Sequence, residues 1–230
     1  DTMTFYEISP KVIEIERREF TFLSDSPAKN EVVVGDGRLS LENELKRGGP
    51  RGYDVLGIDA FSGDSIPMHL ITREAMALYV RHLAPDGVIV FQATNRYIDL
   101  LPVIQRLAAE QGMQARLVSD WSDDRGGVNY WMSSTDQVLV TRDEELLRHP
   151  SLLVAERIEE RFGLPTFTDA QHNMFRILKK RRDAAAHADP GRARAGNWGS
   201  LSTVSQWIVP LPLAQAGHSG SCDAMMDCPP

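Results

Sequence analysis

The chain has 230 residues, 42% of them hydrophobic, and 25 basic against 32 acidic side chains give a formal net charge of -7. That is the make-up of a globular protein with a core, which excludes wholesale disorder and a collagen-like or fibrous chain. No apolar run approaches the roughly 18 to 20 residues of a membrane helix, and the acidic balance, with no Lys/Arg cluster interleaved with aromatics, argues against a nucleic-acid binder and suits cationic substrates.

The first residue is Asp1, and no charged segment followed by an apolar one reads as a signal peptide. Thr2 to Ile8 predicts a strand, and Pro10 then opens a helix from Lys11 to Arg18, since proline is favoured at a first helical position. Glu31 to Val34 predicts a second strand, ended by Gly35-Asp36-Gly37, with a helix over Leu39 to Leu45. Tyr53 to Asp59 is a third strand, nearly all apolar, as a parallel strand covered on both faces should be. Thr72 to Leu83 is an amphipathic helix with Met76, Leu78, Tyr79, Val80 and Leu83 on its buried side, and Pro85-Asp86-Gly87 turns the chain into the strand Gly87 to Gln92. A helix from Ile98 to Glu110 stops at Gly112. Ala115 to Val118 and Gln137 to Thr141 are the last two strands, hairpin-related around the turn-rich stretch Ser122 to Gly127. This alternation predicts an α/β domain over residues 1-180 with a doubly wound, mostly parallel sheet.

From about Arg181 the chain changes character. The last 50 residues hold no Glu and no Lys, 24 of them are Ala, Gly, Pro or Ser, and four Arg balance four Asp, so the whole negative excess belongs to residues 1-180. Residues 181-230 are therefore expected to be a low-complexity, disordered tail. Its Cys222 and Cys228, the only two cysteines, make neither a disulfide framework nor a metal quartet.

Ligands of such sheets bind beyond the carboxyl ends of the strands, where acidic residues recur here. Glu7 closes the first strand, and a carboxylate there can take the two hydroxyls of a ribose; the plainer alternative is a helix-start charge near Pro10. Asp36 between two glycines marks either a loop whose backbone meets a flat ligand or a simple turn. In Asp59-Ala-Phe-Ser-Gly-Asp64-Ser-Ile-Pro67, a buried strand delivers one carboxylate and a small-residue loop presents a second five positions later. Two carboxylates can hold an amine, one accepting its proton as a general base; the alternative is a loop cap at Asp59 with a solvated Asp64. The histidines at 69, 82, 149 and 172 lack ligand spacing and are expected at the surface or in packing rather than on a metal.

Phe5-Tyr6-Glu7-Ile8-Ser9-Pro10, Gly35-Asp36-Gly37-Arg38, Tyr53 to Phe61, and the Thr72 to Gly87 helix and turn together resemble the spermidine synthase (polyamine aminopropyltransferase) family. The likeness is to its bacterial spermidine-synthase-like domains, which often follow a membrane-spanning region. It implies the Rossmann-like fold of class I S-adenosylmethionine-dependent methyltransferases and, as co-substrate, decarboxylated S-adenosylmethionine. Glu7 would bind its ribose, and Asp36 and Gly37 would lie against its adenine. Asp59 would serve both cofactor binding and catalysis, Asp64 would be the second acid of the catalytic loop, and Tyr130 would stand on the substrate side. In the family that loop reads Asp-x-x-Asp-Pro; here Asp64 comes one or two residues later and no proline follows it directly. No metal is implied. The acceptor would be a small cationic amine such as putrescine, in a cytoplasmic or membrane-tethered domain for which a homodimer is an open alternative.

The family's glycine-rich loop follows a strand that lies between those ending in Glu7 and Asp59, and only six residues precede Glu7. The chain is therefore expected to be the downstream part of a longer protein, its sheet gapped or closed differently at that place, and inactive as it stands. The competing expectations are a methyltransferase using intact S-adenosylmethionine and a non-catalytic degenerate domain.

Overall fold

The computed structural model describes residues 1-61, 66-120, 135-179 and 205-207. Its first unit is a strand-helix-strand: β1 (Thr2–Glu7), α1 (Pro10–Glu19) and β2 (Lys29–Val34), with β1 parallel to β2 from Thr2↔Lys29 to Glu7↔Val34. Pro10 stands at the start of α1, and Arg17 and Arg18 sit in its last turn, where cations meet the negative end of the helix dipole. α2 (Gly37–Gly48) begins directly at the Gly-Asp-Gly turn and runs past the predicted Leu45 until Gly49, whose φ of 86° a side-chain-bearing residue would resist.

The second unit is a six-stranded sheet in the order β7-β5-β6-β4-β3-β8. β3 (Tyr53–Phe61) is parallel to β4 (Leu83–Gln92), while β6 (Thr135–Thr141) lies antiparallel between β4 and β5 (Gln114–Asp120). β3, β4 and β5 thus point one way and β6 the other, in the α/β arrangement expected; pairing is parallel at β3–β4, as it is at β1–β2, and antiparallel at β4–β6 and β5–β6, with the last predicted pair adjacent as anticipated. Two short antiparallel strands complete it, β7 (Glu156–Arg157) on β5 and β8 (Ser205–Trp207) on β3. Neither was legible, since two or three residues carry no periodicity.

Pro85-Asp86-Gly87 does not form a separate turn before β4 but an irregularity inside it. Tyr53 pairs with Leu83 and Val55 with Val88, so five steps on β4 are taken against two on β3. Gly87 is required there: a Cβ would lie 2.6 Å from the Tyr53 carbonyl oxygen. The helix after β4 also differs. α4 spans Leu101–Glu110 and starts three residues after Ile98, because the Asn95 side chain accepts the Tyr97 and Ile98 amides, each at 2.9 Å, and Ile98 bridges Leu178. α3 (Arg73–His82) follows expectation, with Thr72 accepting the Ala75 amide at 3.2 Å as its N-cap.

One core joins these elements. Leu56 and Ile58 of β3, Ile89 and Phe91 of β4, and Val138 and Val140 of β6 pack with Met76 and Tyr79 of α3, Ile104 and Leu107 of α4, and Leu41 of α2. Each fully buried Leu, Ile or Phe contributes about 1.5–3 kcal/mol of transfer free energy. β1 reaches the same core through Tyr6, although it shares no strand pairing with β3 among the described residues.

Candidate functional site: carboxylates at the strand ends

The parallel register that ends at Glu7↔Val34 brings the carboxyl ends of β1 and β2 side by side, and the Gly35 amide donates to the Glu7 carbonyl at 2.9 Å. Glu7 is fully buried, and its Oε1 accepts the Ser9 amide at 2.6 Å, so its carboxylate is steered by the turn that leads into α1. Gly35 has φ 150°, a backbone state that favours glycine, and a Cβ there would press to 3.3 Å from Ser40 Oγ. The positive φ that the glycine pair suggested therefore resides at Gly35. Gly37 is the buried first residue of α2.

Asp36 is the N-cap of α2. Its Oδ1 accepts the Leu39 amide at 2.9 Å, and its Oδ2 lies 2.9 Å from His69 Nε2. His69 belongs to a 3-10 turn, Met68–Leu70, that closes the loop leaving β3. The loop that starts beyond Asp59 thus returns to the end of β2, and the strand ends carrying Glu7, Asp36 and Asp59 are linked through it.

Asp59 stands near the carboxyl end of β3, where the pairing with β4 has already ended at Ile58↔Phe91. The residue is exposed, yet protein covers part of its carboxyl, and that partial desolvation pushes its pKa up. A carboxylate so raised holds a proton more readily than an ordinary aspartate. Asp64 and Tyr130 lie outside the described residues.

Two polar clusters behind these ends were not foreseen. In the first, Arg38, its side chain only 10% exposed, makes a fork to Asp169, with Nη1 to Oδ1 at 2.7 Å and Nη2 to Oδ2 at 2.6 Å. Nη1 also donates to the His69 carbonyl at 2.6 Å, and the Thr72 hydroxyl donates to Asp169 at 2.8 Å. The carboxylate beside it holds the Arg38 guanidinium above its usual range, and the guanidinium holds Asp169 below its own. This clamp joins the start of α2, the 3-10 turn, the cap of α3 and the segment around residue 169. The Gly-Asp-Gly-Arg string contained one half of it, but Asp169 is 131 positions away and nothing local marked it.

The second cluster spans the two sheets. The Tyr6 and Tyr53 hydroxyls are 2.7 Å apart, and Tyr6 donates to Glu44 at 2.8 Å, which Arg51 grips through Nε at 2.9 Å and Nη2 at 3.0 Å. Burial, reinforced by the hydrogen bond to Tyr53, drives the Tyr6 hydroxyl far above its usual range. Burial raises the Glu44 carboxyl, but hydrogen bonds from Arg51 and Tyr6 outweigh it and leave the pKa lowered. His82, fully buried, lies 3.0 Å from the Leu41 carbonyl, a packing histidine as expected. Among the described residues, no three His, Cys, Asp or Glu side chains gather as a metal site would require.

The fold is α/β, with Glu7, Asp36 and Asp59 at or just beyond the carboxyl ends of β1, β2 and β3. Over 91 residues the chain is 40% identical to the polyamine aminopropyltransferase of Vibrio vulnificus (strain CMCP6), a stretch that is 38% of this chain and 28% of that relative. Over that stretch the chain is similar in sequence to a polyamine aminopropyltransferase, the kind of protein its motifs resemble, and the match spans under a third of the relative's length. No protein-family model matches the chain. Among solved structures, a probable spermidine synthase from Corynebacterium glutamicum ATCC 13032 superposes with a TM-score of 0.48 at 18% identity, covering 74% of this chain and 64% of that one. A spermidine synthase from Thermotoga maritima superposes with a TM-score of 0.40 at 15% identity, covering 83% and 58%. Another spermidine synthase, in complex with the transition-state analogue AdoDATO, gives 0.41 at 16%, covering 83% and 57%. Among the described residues no helix is long and apolar enough to cross a membrane.

Proposed function

We propose that the chain forms the nucleoside- and amine-handling edge of a polyamine aminopropyltransferase, moving an aminopropyl group from decarboxylated S-adenosylmethionine to a small amine such as putrescine. The observation that carries this reading is Asp59, a carboxylate at the carboxyl end of a core strand with its pKa pushed up by partial desolvation, on a chain related in sequence to such a transferase. On this reading the neutral amine attacks the methylene beside the sulfonium. The new C–N bond forms as the C–S bond breaks, the pair of electrons stays on sulfur, and a neutral thioether leaves. The proton surrendered by the amine passes to Asp59, and the rest of the barrier falls through positioning. Glu7 takes the ribose hydroxyls, Asp36 and Gly37 border the base, and Asp64 and Tyr130 serve the amine. The domain works in the cytoplasm, free or tethered.

The test is release of methylthioadenosine from decarboxylated S-adenosylmethionine and putrescine, followed by mass spectrometry. It is run on the chain alone, for which no turnover is expected, and on the longest product of its coding sequence. Turnover in the longer product that drops about 10²- to 10⁴-fold in Asp59→Asn supports the reading. Methyl transfer from S-adenosylmethionine alone, or no binding of either nucleoside in calorimetry, defeats it in favour of a methyltransferase or a non-catalytic domain.

A further inference from the structure

The 3-10 turn Met68–Leu70 is anchored from several directions. Leu70 and Ile71 are each 1% exposed, the Leu70 amide donates to the Pro67 carbonyl at 3.0 Å, and the Ile71 amide donates to the Met68 carbonyl at 3.1 Å. Arg38 Nη1 donates to the His69 carbonyl at 2.6 Å, and the Tyr79 hydroxyl donates to the Leu70 carbonyl at 3.1 Å. Arg38 is itself fixed by its fork to Asp169. The backbone of His69 therefore has little freedom, and its imidazole reaches from a fixed base to the end of β2, where Nε2 lies 2.9 Å from Asp36 Oδ2. Opposite a carboxylate the ring nitrogen is the donor. The other oxygen of Asp36 takes the Leu39 amide at 2.9 Å, so α2 and the 3-10 turn each hold one oxygen. A single bond would leave the carboxylate plane free to turn, because that torsion is broad; two bonds fix it. The His69 side chain is 46% exposed, and a link so exposed adds little to stability. What it sets is direction.

We propose that His69 is a positioning residue for base selection: by holding Asp36 Oδ2 it aims the carboxylate at the 6-amino group of an adenine, so that a 6-oxo purine is refused. This rests on the reading above in which Asp36 borders the base. An ionised carboxylate accepts hydrogen bonds and donates none. The 6-amino group of adenine donates to it, whereas a 6-oxo purine presents a carbonyl oxygen and sets acceptor against acceptor. A polar group held in one direction rejects the wrong partner, while one free to turn aside accommodates both. His69 also belongs to the loop that leaves β3, the strand carrying Asp59. The same bond therefore ties the place of the base to the carboxylate assigned to the amine.

Calorimetry on the longest product of the coding sequence tests this by comparing methylthioadenosine with methylthioinosine, its 6-oxo counterpart, in the native protein, His69→Leu, His69→Ala, His69→Gln and Asp36→Asn. The native protein should prefer methylthioadenosine, and Asp36→Asn should remove the preference. His69→Leu and His69→Ala should narrow it by about 10-fold. His69→Gln, whose side-chain amide can donate to the same oxygen, should keep it within about 3-fold of native. A loosened fold weakens both ligands alike, so the ratio of affinities separates orientation from stability, and the urea midpoint of each variant is read beside it. An unchanged ratio in His69→Leu and His69→Ala, with the preference lost in Asp36→Asn, overturns the role of His69 and leaves the nucleoside reading standing. A loss in His69→Gln equal to that in His69→Leu overturns the hydrogen-bond argument. An unchanged ratio in Asp36→Asn removes Asp36 from the base and the inference with it. Binding of neither nucleoside by the native protein defeats the nucleoside reading itself.

Discussion

The two sheets of this protein are held by different means. The larger one has continuous pairing from β3 through β4 and β6 to β5, and its core side chains come from both faces. The smaller, β1 with β2, has a single parallel pairing and fastens to the rest through the Tyr6–Tyr53–Glu44–Arg51 cluster and the loop contacts at Asp36. A two-stranded sheet is marginal in water by itself, so the half that carries Glu7 and Asp36 leans on polar fastenings as well as on Tyr6 and Leu41 in the shared core, while the half that carries Asp59 depends chiefly on burial. The difference teaches that the candidate site straddles a seam.

Breaking the strong side should have the largest effect. Phe91, 1% exposed in the centre of the larger sheet, is expected to cost about 3–5 kcal/mol when replaced by alanine, read as a lower urea midpoint with unchanged slope. The matching change on the weak side, Ile13→Ala in α1, should move that midpoint by less than about 1 kcal/mol and appear instead as faster exchange of the amides of residues 2-7 and 29-34. Equal effects of the two substitutions would erase the distinction between the sheets.

The Arg38–Asp169 clamp lies between the two regimes. Breaking a buried pair costs about 3–5 kcal/mol, but the Asp169 side chain is 45% exposed, so Arg38→Ala is expected to cost nearer 2 kcal/mol after screening. Its pH dependence has a definite sign. Asp169 has a lowered pKa in the folded chain, principally through its hydrogen bonds from Arg38, so its contribution is complete above the ordinary aspartate range near 4. It fades as the pH falls through the lowered folded value. The stability gap between the native chain and Asp169→Asn should close over that acidic window.

Asp59 should do the reverse, and with the smallest amplitude. Desolvation raises its folded pKa, so its ionised form costs stability above that raised value and nothing below the ordinary aspartate range. Asp59→Asn is expected to raise the neutral-pH midpoint by under about 1 kcal/mol, with the gain vanishing below about pH 4. A stability loss at neutral pH instead would mean that Asp59 is a structural cap.

Much of the fold could be read from local pattern. The apolar run Tyr53 to Asp59, the Thr72 cap ahead of an amphipathic stretch, and Pro10 at the head of α1 each encode their element in neighbouring residues, because short-range sterics and periodic burial decide helices and long strands. The strand-end carboxylates were visible for the same reason. Boundaries that depend on distant partners were not. α4 begins late because Ile98 is taken by Leu178, and Pro85-Asp86-Gly87 lies within β4 because Gly87 fits under the Tyr53 carbonyl.

What the amino-acid order by itself determined is the α/β alternation, the buried character of β1 and β3, and acids at the carboxyl ends of the strands. Only the tertiary structure decided which partners those acids have. It is there that Asp36 becomes a helix cap tied to His69, that Arg38 finds Asp169, and that Ser205–Trp207 pairs with the end of β3. The physical reason is range. Burial and propensity are properties of short windows, whereas hydrogen-bond partnership is settled by which atoms the folded chain brings within about 3 Å.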